Sequence, residues 1–153
     1  MATVHTLHPG DVVCAEHGDR LETLLGSCVS VVMTDPRRTV GVMCHIVSQP
    51  RKHGSALPAT AHYADVALET MYALLRSAGF NPKFCEAHVY GGGNMFPDLV
   101  KQLSVGDANA RWVLDALAGD GVRVVEQDLG GTAYRRLSWT VGSGLPEVTA
   151  VQV

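Results

Sequence analysis

Charge is scarce in this chain. Asp, Glu, Lys and Arg supply 18% of its 153 residues, against about 25% in an average soluble domain, while apolar residues supply 46%. A chain stays disordered on the opposite balance, so disorder is excluded. An excess of either sign is missing as well. Twelve basic and fifteen acidic residues leave a net charge of −3, which offers nucleic acid no basic footprint and a membrane no polybasic anchor. Long apolar runs are absent too. Stretches without a charged residue, such as Thr23–Thr34 and Thr39–Pro50, reach about a dozen residues, whereas a spanning helix needs about 20; no direct membrane insertion is expected. The opening MATVHTLHPGDVV has neither a basic n-region nor an apolar h-region, so no secretory signal is expected. Finally, four cysteines (Cys14, Cys28, Cys44 and Cys85) are too few and too irregular for a disulfide framework. They read as reduced thiols of a cytoplasmic protein, each of them by default a small buried hydrophobe.

A chain of this length buries roughly 70% of its unfolded surface and needs no staple. Residues 1–153 are therefore expected to form one domain, and no internal repeat interrupts them. A linker-like stretch, Ser48–Ala61, is rich in Pro, Gly and small polar residues and reads as a long surface loop. Helical spacing of Ala67, Met71, Leu74 and Leu75 predicts a helix over Ala64–Ala78, with Gly79 placed to end it. A second helix is expected over Ala108–Ala118, with Asp107 as its N-cap. Strands are expected at Asp11–Ala15, Arg20–Leu24, Cys28–Thr34, Thr39–Val47, Phe84–Tyr90, Val122–Gln127, Tyr134–Val141 and Glu147–Val153. Strands that outnumber helices and follow one another through short turns predict an α+β domain with largely antiparallel pairing.

Residues 26–47, GSCVSVVMTDPRRTVGVMCHIV, carry the most information. Two β-branched runs flank Asp35-Pro36-Arg37-Arg38, and Asp-Pro suits the start of a type I turn. A four-residue loop pairs Thr34 with Thr39, Val32 with Gly41, Ser30 with Met43 and Cys28 with His45. The other face then carries Val29, Val31, Met33, Val40, Val42, Cys44 and Ile46, all apolar, as a correct register requires. Directly opposed side chains have Cβ atoms about 4.5–5.5 Å apart. A thiol and an imidazole at that range can share a proton. The imidazole activates the sulfur and later protonates a leaving amine, which is the equipment for acyl transfer from an amide. Gly26 and Ser27 could aim backbone N–H groups at an oxyanion. Spacing alone leaves a second option open, a buried cysteine beside a hydrogen-bonded core histidine.

Leu25-Gly26-Ser27-Cys28-Val29, then Asp35-Pro36 and His45, resembles the opening of the CheD family, the chemoreceptor glutamine deamidases of chemotaxis. Four later segments continue the resemblance in order: Tyr63-Ala64-Asp65, Tyr90-Gly91-Gly92-Gly93-Asn94-Met95-Phe96, Val105-Gly106-Asp107-Ala108-Asn109, and Asp128-Leu129-Gly130-Gly131 with Arg135. Together they span about residues 10 to 145. The resemblance implies a β-sandwich with helices outside, related to the cytotoxic necrotizing factor deamidases. It makes Cys28 the nucleophile and His45 the base and acid, and it implies hydrolysis of receptor glutamine side chains to glutamate, with methylesterase activity beside it. It points to Thr23 as a third member that orients His45, though Thr23 also reads as an ordinary strand residue. The implied partners are the cytoplasmic helices of chemoreceptors and a CheC-type phosphatase; no cofactor is implied.

Ser27, Gly91 and Gly92 are candidate substrate-binding positions, since glycine lets a backbone approach closely. A turn needing positive φ explains Gly91–Gly93 equally, and Gly130–Gly131 reads as such a turn. Arg135 is expected to pair with Asp128, and Asn109 to make a local hydrogen bond near its helix start. Arg51, Lys52 and His53 form a basic stretch that either meets an acidic receptor helix or is merely solvated. Two alternatives to a hydrolase remain. A zinc site is disfavoured because Cys44 and His45, like Cys85 and His88, sit at odd offsets on strands and point to opposite faces. A non-catalytic module that binds receptors or a CheC-type phosphatase would share the fold without turnover.

Overall fold

The structure is a computed structural model and describes residues 2–99, 104–142 and 144–151. In chain order the strands are β1 (Val4–Thr6), β2 (Val12–Glu16), β3 (Arg20–Leu25), β4 (Val29–Thr34) and β5 (Val40–Cys44). After them come helix α1 (Ala64–Ser77), a short 3-10 turn (Pro82–Phe84), β6 (Glu86–Gly91), helix α2 (Val105–Gly119), β7 (Arg123–Leu129), β8 (Tyr134–Thr140) and β9 (Glu147–Val151). Two sheets result, one ordered β1-β3-β8-β9 and the other β2-β5-β4-β6-β7. Among the strands of the described residues, only β1–β3 and β6–β7 pair in parallel. The expected α+β class with mostly antiparallel strands is what the chain adopts.

Every residue of β4 is buried, which requires cover on both faces of its sheet. Odd-numbered Val29, Val31 and Met33 pack with Val42, Cys44 and Ile46 against Ala67, Met71 and Leu75 of α1 and Val113 and Leu117 of α2. Val32 and Met43 face the other way and meet Leu21, Leu25, Leu137 and Trp139 of the four-stranded sheet. The layers are thus helices, five-stranded sheet, four-stranded sheet, and side-chain alternation along one strand serves both cores.

Helix α1 ends as expected: Gly79 has φ +95°, and the N–H groups of Gly79 and Phe80 bond back to Arg76 and Leu75, a glycine-dependent C-terminal cap. Helix α2 starts earlier than expected. Ser104, not Asp107, is its N-cap; the Ser104 hydroxyl accepts from Asp107 N while the Asp107 carboxylate accepts from Ser104 N. A capping box places the acidic residue three positions inside the helix, which is why Asp107 alone looks like a cap. Strand β1 was not anticipated. The expected end of the last strand, residues 152–153, lies outside the described residues.

The hairpin register differs from the expected one by two residues. Thr34 pairs with Gly41 and Val32 with Met43, and the same register continues to a bridge between Val29 and Ile46. Asp35 is the cause. Its carboxylate accepts from the N–H groups of Thr39 (2.8 Å) and Val40 (2.9 Å) and from the Thr39 hydroxyl (2.9 Å). Arg38 closes the turn on Asp35 O and adopts φ +54°. Two residues that would have entered the ladder are thereby held in the turn. A slip of two preserves every face assignment, so the apolar face stands, but Cys28 is no longer directly opposite His45.

Candidate active site

Cys28 lies just before β4, and His45 just after β5. The observed register sets His45 across from Ser30, leaving Cys28 one diagonal step away on the same face. Diagonal neighbours are roughly 7–8 Å apart at Cα, a span that long side chains bridge. His45 is 4% exposed. Its backbone is held between strands: its N–H donates to Asp11 O, and its carbonyl accepts from Gly10 N.

The ring is anchored from the opposite sheet. Leu21, Thr23 and Leu25 form the buried face of β3, so Thr23 points into the gap between sheets. Its Oγ1 stands 2.7 Å from His45 Nδ1 and donates to Leu7 O at 2.9 Å. A hydroxyl has one proton. With that proton on Leu7 O, Oγ1 can only accept from His45, so Nδ1 carries the hydrogen and Nε2 keeps its lone pair. Thr23 therefore selects the tautomer that leaves Nε2 basic.

Burial works on both partners in the same sense. It pushes the Cys28 thiol up and the His45 imidazole down, the latter partly offset by the Asp11 carboxylate. Both shifts favour thiol beside neutral imidazole over thiolate beside imidazolium. A thiol beside a neutral imidazole is thus the resting arrangement that burial favours for these two groups. The other thiols differ in setting. Cys44 is enclosed in the helix-side core and its thiol is pushed up to about 12, and burial raises Cys85 to about 11; Cys14 is exposed on β2.

Cys28 opens onto a cavity of about 430 Å³ lined by Gly26, Ser27, Gly93, Met95, Phe96 and Tyr134, with the α2 N-terminus closing one side. Ser27 is thus at the cavity. Gly91 and Gly92 are not; they lie buried behind its wall. Gly92 N donates to Cys28 O, and Gly93 N donates to Gly26 O, so the glycine run pins the cysteine's own segment. Gly91 has φ +107°, and a Cβ there would stand 2.2 Å from Cys28 O, a contact only glycine avoids. Phe96, Tyr134 and Val105 were not singled out as site residues. Phe96 and Val105 are each 66% exposed, and a partly exposed apolar rim has no sequence signature to separate it from core.

The remaining expectations concern support. Arg135 Nη2 lies 3.1 Å from Asp128 Oδ1, a pairing inside the domain. Gly130 and Gly131 both have positive φ between β7 and β8. Instead of the expected local bond, the Asn109 side chain makes a distant one: its Nδ2 donates to Val47 O at 3.0 Å, tying α2 to the segment that follows His45.

Residues 48–149 match the family described as CheD chemotactic sensory transduction. This match begins beyond His45. Full-length relatives extend it. "Probable chemoreceptor glutamine deamidase CheD" of Pseudomonas fluorescens (strain SBW25) is 36% identical over 143 residues, covering 90% of this chain and 79% of the relative. "Probable chemoreceptor glutamine deamidase CheD 2" of Albidiferax ferrireducens is 34% identical over 143 residues, covering 90% and 82%. A namesake of the first in Desulforamulus reducens is 32% identical over 137 residues, covering 88% and 82%. An alignment over nine-tenths of the chain runs through residues 28 and 45 wherever it begins. With a family match over two thirds of its length and relatives of this identity along nearly all of it, the chain belongs to the CheD family.

Proposed function

We propose that this protein hydrolyses the side-chain amide of chemoreceptor glutamines to glutamate, with Cys28 as nucleophile, His45 as general base and acid, and Thr23 as the residue that orients His45. The observation that carries this reading is the Thr23 hydroxyl, which bonds His45 Nδ1 while its own proton is committed to Leu7 O. A core histidine needs a partner, but it does not need its other ring nitrogen kept on the face of the sheet that carries a partly buried thiol.

The steps follow from these groups. Cys28 Sγ adds to the amide carbon as its proton passes to His45 Nε2. The oxyanion is stabilised by the backbone N–H of Cys28, beside Ser27 in the cavity lining. The C–N bond breaks, Nε2 returns the proton to the departing nitrogen, and ammonia leaves a thioester. Water then gives a proton to Nε2 and adds to the thioester carbon; the C–S bond breaks, the sulfur regains a proton, and glutamate is released. A glutamate methyl ester would follow the same course with methanol leaving. Substrate glutamines on the cytoplasmic helices of receptors place the protein in the cytoplasm. No helix among the described residues is long and apolar enough to cross a membrane.

Mass spectrometry of a receptor cytoplasmic fragment tests the reading. Wild type is expected to convert specific glutamines to glutamate, and Cys28→Ala to convert none. A wild type that binds the fragment, or a CheC-type phosphatase, without converting any residue identifies a non-catalytic module instead.

A further inference from the structure

A second cavity, of about 540 Å³, adjoins the one at Cys28; Ser104 and Val105 at the start of α2 line both. The two differ in charge. No Lys, Arg, Asp or Glu lines the cysteine cavity among the described residues, whereas Arg51 and Lys52 line its neighbour and no carboxylate does. In a chain of net charge −3 this is a local reversal of sign.

Among the described residues, neither Arg51 nor Lys52 forms an ion pair. Arg51 Nη1 donates to Leu57 O, folding the guanidinium onto its own loop, while its Nε–H is buried with no acceptor. A buried guanidinium N–H without an acceptor is costly unless something else supplies one. The loop that carries both cations is fixed at its base: Ser48 bridges Tyr63, and the N–H groups of Val47 and Ser48 share His62 O. The loop that carries both cations therefore starts from a fixed point beside the site.

We propose that this basic cavity seats an acidic side chain, Asp or Glu, of the same polypeptide whose glutamine enters the Cys28 cavity, so that glutamines with an acidic near neighbour are preferred. The inference rests on the deamidase reading and deepens it by naming a feature of the substrate. One segment crossing the Ser104–Val105 wall can occupy both cavities. A carboxylate there meets two unpaired cations, while a neutral side chain meets neither. Complementarity of this kind acts mainly on encounter and selection and weakens with salt.

The test uses the full chain and helical peptides holding a single glutamine, with Glu or Ala three or four residues to either side. At low salt, kcat/KM for at least one Glu peptide should exceed that of its Ala counterpart by roughly 5-fold, through KM, and high salt should erase the difference. Lys52→Glu should abolish or reverse the Glu advantage; Lys52 is exposed and its side chain has no hydrogen bond or ion pair among the described residues, so this variant should fold. Arg51→Lys should retain most of the advantage, and Arg51→Gln should lose it. Equal rates for Glu and Ala peptides at every position, or an advantage that survives Lys52→Glu and Arg51→Gln, would overturn the proposal. If no peptide is turned over, anisotropy of labelled peptides on Cys28→Ala separates the two ideas. Tighter binding of Glu peptides upholds the basic subsite while the deamidase reading fails; equal binding rejects the subsite. Adsorption to phosphatidylserine vesicles that is lost in Lys52→Glu, with no peptide preference, would assign the cations to a lipid surface and also reject it.

Discussion

Replacing Thr23 with valine changes one atom's chemistry and almost no volume. The side chain sits in the gap between sheets, 4% exposed, and its hydroxyl bridges His45 Nδ1 and Leu7 O. Valine leaves a buried N–H without an acceptor and a carbonyl without that donor, at about 1–3 kcal/mol for each unsatisfied group before relaxation. A stability loss of about 2–4 kcal/mol is expected. The catalytic effect follows from the tautomer. Without Oγ1, nothing favours hydrogen on Nδ1, and the ring gains by moving it to Nε2, where it can no longer accept a proton. A lost bias of about 1.5–3 kcal/mol corresponds to roughly 10- to 150-fold in the population of the competent tautomer, at 1.4 kcal/mol per tenfold. The deamidation kcat should fall by that factor with little change in KM. Nitrogen-15 NMR of the ring should show hydrogen moving from Nδ1 to Nε2, and Thr23→Ser, which keeps the oxygen, should restore most of the rate. A folded Thr23→Val protein with wild-type kcat and an unchanged tautomer would show that Thr23 does not set the His45 tautomer.

Burial depresses the pKa of both His45 and His88, the latter against the pull of Glu126 and Glu86. Above about pH 6.5 neither state binds the extra protons; below it the unfolded chain takes them up first, so stability should drop as pH falls. Denaturant titrations should show this acid loss, and His88→Gln should make it shallower; an unchanged slope would mean that His88 does not contribute to it. Iodoacetamide near neutral pH should label Cys28 and Cys14 but spare Cys44 and Cys85, and His45→Ala should slow labelling of Cys28 alone. Equal slowing at Cys14 would mean a general structural change. Asp35→Ala should cost about 2–3 kcal/mol in chemical denaturation, since a 1%-exposed carboxylate accepting three hydrogen bonds is lost. Gly91→Ala should distort the Cys28 segment and abolish activity, because φ +107° and the 2.2 Å approach to Cys28 O leave no room for a Cβ.

The sequence revealed faces better than it revealed positions along them. Alternation from residue 29 to 46 sorted β4 and β5 correctly because burial on both sides leaves no freedom to rotate a strand. It missed the register because Asp35 takes two N–H groups through its side chain, and a side-chain-capped turn looks in sequence like any Asp-Pro turn. The partnership of Thr23 and His45 crosses from one sheet to the other, a contact periodicity cannot see; the family resemblance raised it, and the coordinates put the atoms 2.7 Å apart. Asn109 shows the converse, a polar residue read as local that bonds 62 positions away in the chain. Rim residues Phe96, Val105 and Tyr134 were invisible as a site because exposed apolar residues acquire meaning only around a cavity.

In the proposed mechanism one sulfur, that of Cys28, carries the acyl group. Acid-quenched mass spectrometry of the enzyme during turnover of a glutamine substrate tests it most directly. The expected result is a covalent adduct on Cys28 equal to the substrate less ammonia, absent in Cys28→Ala and accumulating more slowly in His45→Ala. Glutamate production that continues in Cys28→Ala, or an adduct on any other residue, would contradict it.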